Sequence, residues 1–162
     1  MSEVVCNTSP LQYLHQLGLL RVLPSLAAEL LVPTAVAREL AAGRALGVDL
    51  PTPEELDWMT IRAPRSAPMI PLVSDLGAGE TEVLALALEL GGVQVLLDDA
   101  LARRVAAMVN LPVRGTLGIL LDAKQRGLVP AVEPLLDRLK SLGFRLSHET
   151  KMSVLNLAGE LR

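Results

Sequence analysis

Leu76–Asp99, LGAGETEVLALALELGGVQVLLDD, is the stretch whose reading decides the fold. Val83, Leu84, Leu86, Ala87, Leu88 and Leu90 are apolar nearly all round, as in a helix packed inside a layered protein. Gly91-Gly92 ends that helix. Val93-Gln94-Val95-Leu96-Leu97 is short, rich in β-branched residues and apolar apart from Gln94, which predicts a central parallel strand. Asp98 and Asp99 then fall at that strand's carboxyl end, the edge at which open α/β sheets bind ligands. Glu80, in the first turn of the preceding helix, is a candidate for the same edge.

Working outward, the flanks repeat the alternation. Val4-Val5-Cys6 predicts a strand, with Thr8 or Ser9 capping a helix that begins at Pro10 and turns Leu11, Leu14 and Leu17 inward. Leu19–Leu30 reads as a second short helix interrupted near Pro24, and Leu30-Leu31-Val32 as a second strand. Pro33-Thr34 opens a helix that Gly43 closes, with Val36 and Leu40 on one face and Glu39 beside it. From Gly43 to Asp75 the pattern weakens at Pro51, Pro53, Pro64, Pro68 and Pro71, and Trp58-Met59-Thr60-Ile61 fits an edge strand. Beyond the central unit come a helix from Ala100 to Val109, an edge strand Leu111-Pro112-Val113 and a helix from Gly115-Thr116 to Arg126. Two more helices, Val132–Leu142 and His148–Leu161, flank a short Phe144-Arg145-Leu146 segment. Strands alternating with helices imply an α/β protein, a parallel sheet with helices on both faces.

Composition limits what the chain can be. Its 162 residues suffice for one domain with a sizeable core, read here as a single domain over 1–162. Half the residues are apolar (51%) but only 2% are aromatic, so that core must be built from Leu, Val and Ala. A mean hydropathy of +0.41 is high, yet no apolar run reaches the ~18 residues that would span a bilayer. The start, MSEVVCNTSP, carries an acid and no basic region, unlike a secretory signal, and the single cysteine permits no internal disulfide. Both fit a cytoplasmic location, with no membrane as partner. A net charge of −3 does not advertise nucleic-acid binding, so such a partner needs a local basic rim, for which Arg103, Arg104, Arg114, Lys124 and Arg126 are the candidates.

Asn7, Glu39, Glu80 and the Asp98-Asp99 pair recur at strand ends or early helix turns. Carboxylates gathered in one cleft repel one another unless a cation sits among them, and hard oxygen donors suit Mg²⁺ or Mn²⁺. Such a site is compatible with metal-dependent phosphodiester hydrolysis. Each acid also has an ordinary structural role open to it. Glu80 could complement a helix dipole, Glu39 could pair with Arg38 or Arg44, and one of Asp98 and Asp99 could cap the following helix. His15 and His148 form no ligand-spaced motif, there is no cysteine cluster for zinc, and GAGE lacks the spacing and the Lys-Ser/Thr of a phosphate loop.

VVCNTSPLQYL, VPTAVAREL, LGAGETEVLALALELG, VLLDDALARR and LPVRGTLGILLDAKQRGLV, in this order, resemble the PIN-domain proteins. More closely they resemble a prokaryotic subfamily related to the VapC-type toxins of toxin–antitoxin pairs. The resemblance runs from about Val4 to Val129 and is expected to continue to the end. It implies a three-layer α/β/α sandwich with a mostly parallel central sheet over about 4–129, followed here by a helical extension over 130–162. It also implies a Mg²⁺ or Mn²⁺ ribonuclease acting on RNA, with an antitoxin protein as a partner. A homodimer is expected as well, because the apolar composition suggests covered hydrophobic surface. The family's four acids fall on Asn7, Glu39, Glu80 and either Asp98 or Asp99, with Ser9 and Thr116 as supporting polar residues. Two departures stand out: Asn7 replaces the usual Asp and brings no charge, and Leu96 or Leu97 stands where a Thr is common. The alternative reading is a catalytically weak or inactive scaffold that binds RNA or a partner protein.

Overall fold

The computed structural model describes residues 2–65 and 75–161. Pro68 and Pro71, read above as pattern breakers, lie outside them. Five strands, β1 (Glu3–Cys6), β2 (Glu29–Pro33), β3 (Met59–Arg62), β4 (Gln94–Leu96) and β5 (Val113–Arg114), form one sheet in the order β3-β2-β1-β4-β5. Every pairing is parallel, with Val5 opposite both Leu31 and Val95, Leu31 opposite Thr60, and Leu96 opposite Arg114. The three inner strands read as near-continuous apolar runs because both of their faces are covered, as parallel sheets require. The seven α-helices among the described residues are α1 (Thr8–Gln16), α2 (Thr34–Ala45), α3 (Ala78–Glu89), α4 (Ala100–Met108), α5 (Thr116–Gln125), α6 (Glu133–Ser141) and α7 (His148–Leu157). With the sheet they make the three-layer α/β/α sandwich that the sequence predicts.

The strand order fixes where a site can form. From β1 the chain steps outward through α1 to β2 and α2 to β3, then returns by α3 to β4 and steps the other way through α4 to β5. The direction reverses between β1 and β4, so a crevice opens outside their carboxyl ends. Asn7 follows one of these strands and Asp98 the other.

The core is aliphatic, as the composition demands. Leu11, Leu14, Leu31, Leu40, Leu84, Leu97, Leu120 and Leu136 are fully buried, each stabilising the fold by roughly 1.5–3 kcal/mol relative to exposure. Cys6 is a packed core residue, and burial pushes its thiol up to about 12, so it stays protonated. Gly91 and Gly92, at φ +88° and +91°, end α3 where a side chain would be strained.

Besides shifts at element ends, such as β5 on Val113–Arg114 rather than on Leu111–Val113 because Pro112 has no N–H to offer a ladder, four readings differ, each for a local reason. The first helix starts at Thr8 with Asn7 as its N-cap residue, because the hydroxyls of Thr8 and Ser9 are engaged elsewhere and cap nothing. Leu20–Ser25 is a 3-10 turn rather than a helix out to Leu30, since Pro24 permits no longer ladder. Helix α2 passes through Gly43 to Ala45, and the left-handed turn falls at Gly47 (φ +87°). In helix α7 regular structure ends at Leu157, short of Leu161.

Glu160 clasps the carboxyl-terminal helices to the body. It accepts hydrogen bonds from the N–H groups of Val132 (2.7 Å) and Glu133 (3.0 Å) at the start of α6, and from Lys124 Nζ (2.8 Å) on α5. Burial alone would raise its pKa, but the Lys124 hydrogen bond, the two backbone N–H groups and the Lys124 charge outweigh it and lower the carboxyl from 4.5 to about 2. A lowered pKa means stabilisation that is complete above the ordinary value and is lost as pH falls through the folded one. Glu160→Gln is therefore expected to cost about 1 kcal/mol at pH 7, discounting for solvent screening. Thermal melts check this: the gap between wild type and variant should narrow clearly between pH 7 and pH 3.

Candidate functional site

The crevice at the β1/β4 reversal is assembled from first turns. Asn7 is 2% exposed and its backbone N–H donates to Leu96 O (3.1 Å), which stitches the end of β1 to β4. Its side-chain Oδ1 is buried and accepts no hydrogen bond among the described residues. An orphaned buried carbonyl oxygen costs about 1–3 kcal/mol unless something polar reaches it.

The next two residues hold the acids. Thr8 Oγ1 donates to Glu39 Oε2 (2.5 Å), and Ser9 Oγ donates to Asp98 Oδ2 (2.9 Å). Two carboxylates from distant elements are thus anchored to consecutive residues immediately after Asn7. Glu39, on α2, also accepts the Gly79 N–H through Oε1 (3.1 Å). A Cβ at residue 79 would land 2.6 Å from that oxygen, so the approach of α3 to Glu39 requires glycine. Asp98 also accepts the Thr116 N–H through Oδ1 (2.8 Å) and the Thr116 hydroxyl through Oδ2 (2.7 Å). The Thr116 side chain is fully buried in this contact at the start of α5. Asp98 therefore ties β4 to the first turns of α1 and α5.

Asp99 faces a different way. Its Oδ2 accepts the Ala102 N–H (2.8 Å) and caps α4. Glu80 is half-buried in the first turn of α3, one residue beyond Gly79, and its carboxylate folds back over Gly77, near the positive end of its own helix. Neither Glu80 nor Asp99 is joined to Glu39 or Asp98 by a hydrogen bond among the described residues. Glu39 pairs with neither Arg38 nor Arg44, and Arg44 donates instead to Pro51 O. Glu82 joins the edge unannounced: its Oε1 accepts from Thr34 Oγ1 and the Ala35 N–H (both 2.8 Å), capping α2 from α3. Its place two residues after Glu80, one turn into α3, is the only signal the sequence offers.

Of the basic candidates, Arg103 donates to Leu97 O (3.1 Å) beside Asp98, and Arg114 pairs with Asp122. Lys124 and Arg126 are engaged elsewhere, with Glu160 and Ser25 O.

Among the described residues no group of three or more His, Cys, Asp or Glu side chains is placed to hold a metal ion. The donors present nonetheless suit a hard cation. They are all oxygens, each engaged carboxylate keeps lone pairs free, and the Asn7 Oδ1 has nothing to bond. Magnesium keeps several waters and needs only one or two carboxylates, so a three-acid cluster is not a requirement. Among the described residues no helix is long and apolar enough to cross a membrane.

The family model described as DUF3368, a PIN domain, matches residues 3–160. No curated protein matches the chain.

Proposed function

Because the chain belongs to the PIN-domain family, a fold generally of nucleases, we propose that it is a metal-dependent ribonuclease hydrolysing RNA phosphodiester bonds at the β1/β4 crevice. The observation that carries this reading is the pair of carboxylates, Glu39 and Asp98, fixed to Thr8 and Ser9 beside the unpartnered Asn7 Oδ1. Asp98, Glu39, Asn7 and Glu80 would hold Mg²⁺ or Mn²⁺. When bound, the cation would acidify a water for attack on phosphorus and neutralise charge as the bond breaks.

The chain's own contribution is positional. Ser9 and Thr116 spend their hydroxyl protons on Asp98, which keeps its carboxylate oriented and poor at wandering. Thr8 and the Gly79 N–H do the same for Glu39. Arg103, pinned by Leu97 O beside Asp98, supplies positive charge next to the acid.

The test is cleavage of RNA with Mg²⁺ or Mn²⁺ by wild type and Glu80→Gln. A loss of roughly 10- to 100-fold is expected if Glu80 orients the cation's shell. Equal rates would remove Glu80 from the site.

A second reading has its own support. Asn7 stands where the family's first acid is expected and brings no charge, which favours a scaffold that binds RNA or protein without cutting. Titration calorimetry separates the two: no heat at millimolar Mn²⁺ favours the scaffold. Under the nuclease reading the chain is the toxin of a toxin–antitoxin pair with an antitoxin partner, and it forms a homodimer. Support comes from the subfamily resemblance and from exposed Leu46, Met108 and Leu157. A monomeric mass by light scattering at tens of micromolar would count against the dimer.

A further inference from the structure

A cleft of about 650 Å³ opens from Asp98 along the carboxyl edge, between the first turns of α4 and α5 and the segment joining α6 to α7. Its charged lining is Arg103, Arg104, Arg114 and Arg145 against the single acid Asp98. That is a strong local excess of positive charge on a chain whose net charge is −3.

Two features of the cleft bear on what it can hold. Its floor is glycine where arginines lie on it: a Cβ at residue 115 would sit 2.6 Å from Arg103 Nη1, and one at residue 118 would sit 3.0 Å from the Arg114 side chain. Those two guanidiniums are fixed, by Leu97 O and Asp122. Arg104 and Arg145 are different. Both are exposed, both line the cleft, and neither has a hydrogen bond or ion pair among the described residues. The far wall belongs to the carboxyl-terminal extension. Phe144, packed edge-on against Tyr13 (centroids 5.0 Å apart, 87° between planes), fixes the backbone that presents Arg145.

We propose that this cleft binds the phosphates of a nucleic-acid strand leading to Asp98, with Arg104 on α4 and Arg145 on the extension as its two free phosphate contacts. The inference rests on the nuclease reading for what happens at Asp98, but binding in the cleft needs no metal. Guanidiniums without acid partners, spaced across a groove, match a chain of phosphates, each of which can take two parallel N–H donors. The extension, through Arg145 between α6 and α7, is then part of the binding surface.

The experiment is fluorescence anisotropy of a labelled 12-nucleotide RNA, and of DNA of the same sequence, in EDTA over a range of salt. Arg104→Ala and Arg145→Ala should each weaken binding about 3- to 10-fold and lower the salt slope by about 0.7, while Arg145→Lys restores most of the slope. Arg21→Ala, in the 3-10 turn before β2, should change neither. Unchanged affinity and slope in the Arg104→Ala/Arg145→Ala double variant would overturn the proposal whatever the nuclease assay shows. Competition by polyglutamate as strong as by unlabelled RNA would overturn it in favour of an acidic peptide. RNA held through Arg104 and Arg145 but never cut with Mn²⁺ would leave the cleft standing and remove only the nuclease reading. Preference for RNA over DNA identifies the strand, and equal binding of both leaves a phosphate track without sugar readout.

Discussion

Asp98→Asn is expected to reduce RNA cleavage by on the order of 100-fold or more, whereas Asp99→Asn leaves it within about threefold of wild type. The two carboxylates are neighbours in sequence but not in role. Asp98 collects three donors, from Ser9 and twice from Thr116, and lies at the end of β4 where the chain direction reverses. Asp99 spends an oxygen on the Ala102 N–H, which asparagine serves almost equally well as an N-cap. The Asp98→Asn protein should still fold. Asparagine's carbonyl oxygen can accept the Thr116 N–H, and its amide can donate to the Ser9 and Thr116 hydroxyls once these rotate. The expected stability cost is about 1–2 kcal/mol, the difference between charged and neutral hydrogen bonds. Rates measured well below the melting temperature, with melts of both variants alongside, separate chemistry from folding. Loss of cleavage in Asp99→Asn with retention in Asp98→Asn would reverse the assignment.

The architecture was legible because the elements that define it carry strong local patterns. The all-round apolar α3, the Gly91-Gly92 stop and the short apolar β4 followed by two acids could hardly be read another way, and Val4–Cys6 beside them completes the switch point. The site was legible only as a set of places. Thr8 and Ser9 were read as caps because a hydroxyl before a helix usually caps it, yet their partners stand 31 and 89 residues away. Spacing within a segment says nothing about a hydrogen bond between segments. For the same reason the sequence does not show Glu82 as the cap of α2, nor separate Asp99, which caps α4, from Asp98, which accepts from Thr116. Arg145 was hidden for another reason. It lies in a stretch without periodicity, and tertiary packing, of Phe144 on Tyr13 among other contacts, brings it beside α4 and α5.

Asn7→Asp carries the second large effect, and its sign depends on the cation. The position is buried, and its side-chain oxygen has no partner among the described residues. Thr8 and Ser9 fix two carboxylates close by. A third carboxylate placed there without a cation is desolvated and repelled, so in EDTA the variant should be less stable by about 2 kcal/mol, a fall in melting temperature of about 4–8 °C for a chain of this size. Desolvation and repulsion both raise the new carboxyl's pKa in the folded state. The penalty is therefore full above that raised value and disappears as pH falls below the ordinary Asp value of about 3.9. Adding Mn²⁺ reverses the balance, because the extra charge now has a partner. At 100-fold over its dissociation constant the ion contributes about 2.7 kcal/mol, enough to restore the melting temperature or exceed that of wild type. Cleavage should rise about 10-fold or more if charge at this position limits metal occupancy. Melts of wild type and Asn7→Asp, in EDTA and in millimolar Mn²⁺, read this out without any substrate. If Mn²⁺ raises both proteins equally, residue 7 does not face the cation; if it raises neither, the two anchored carboxylates serve only to fasten the first turns of α1, α3 and α5 to the sheet.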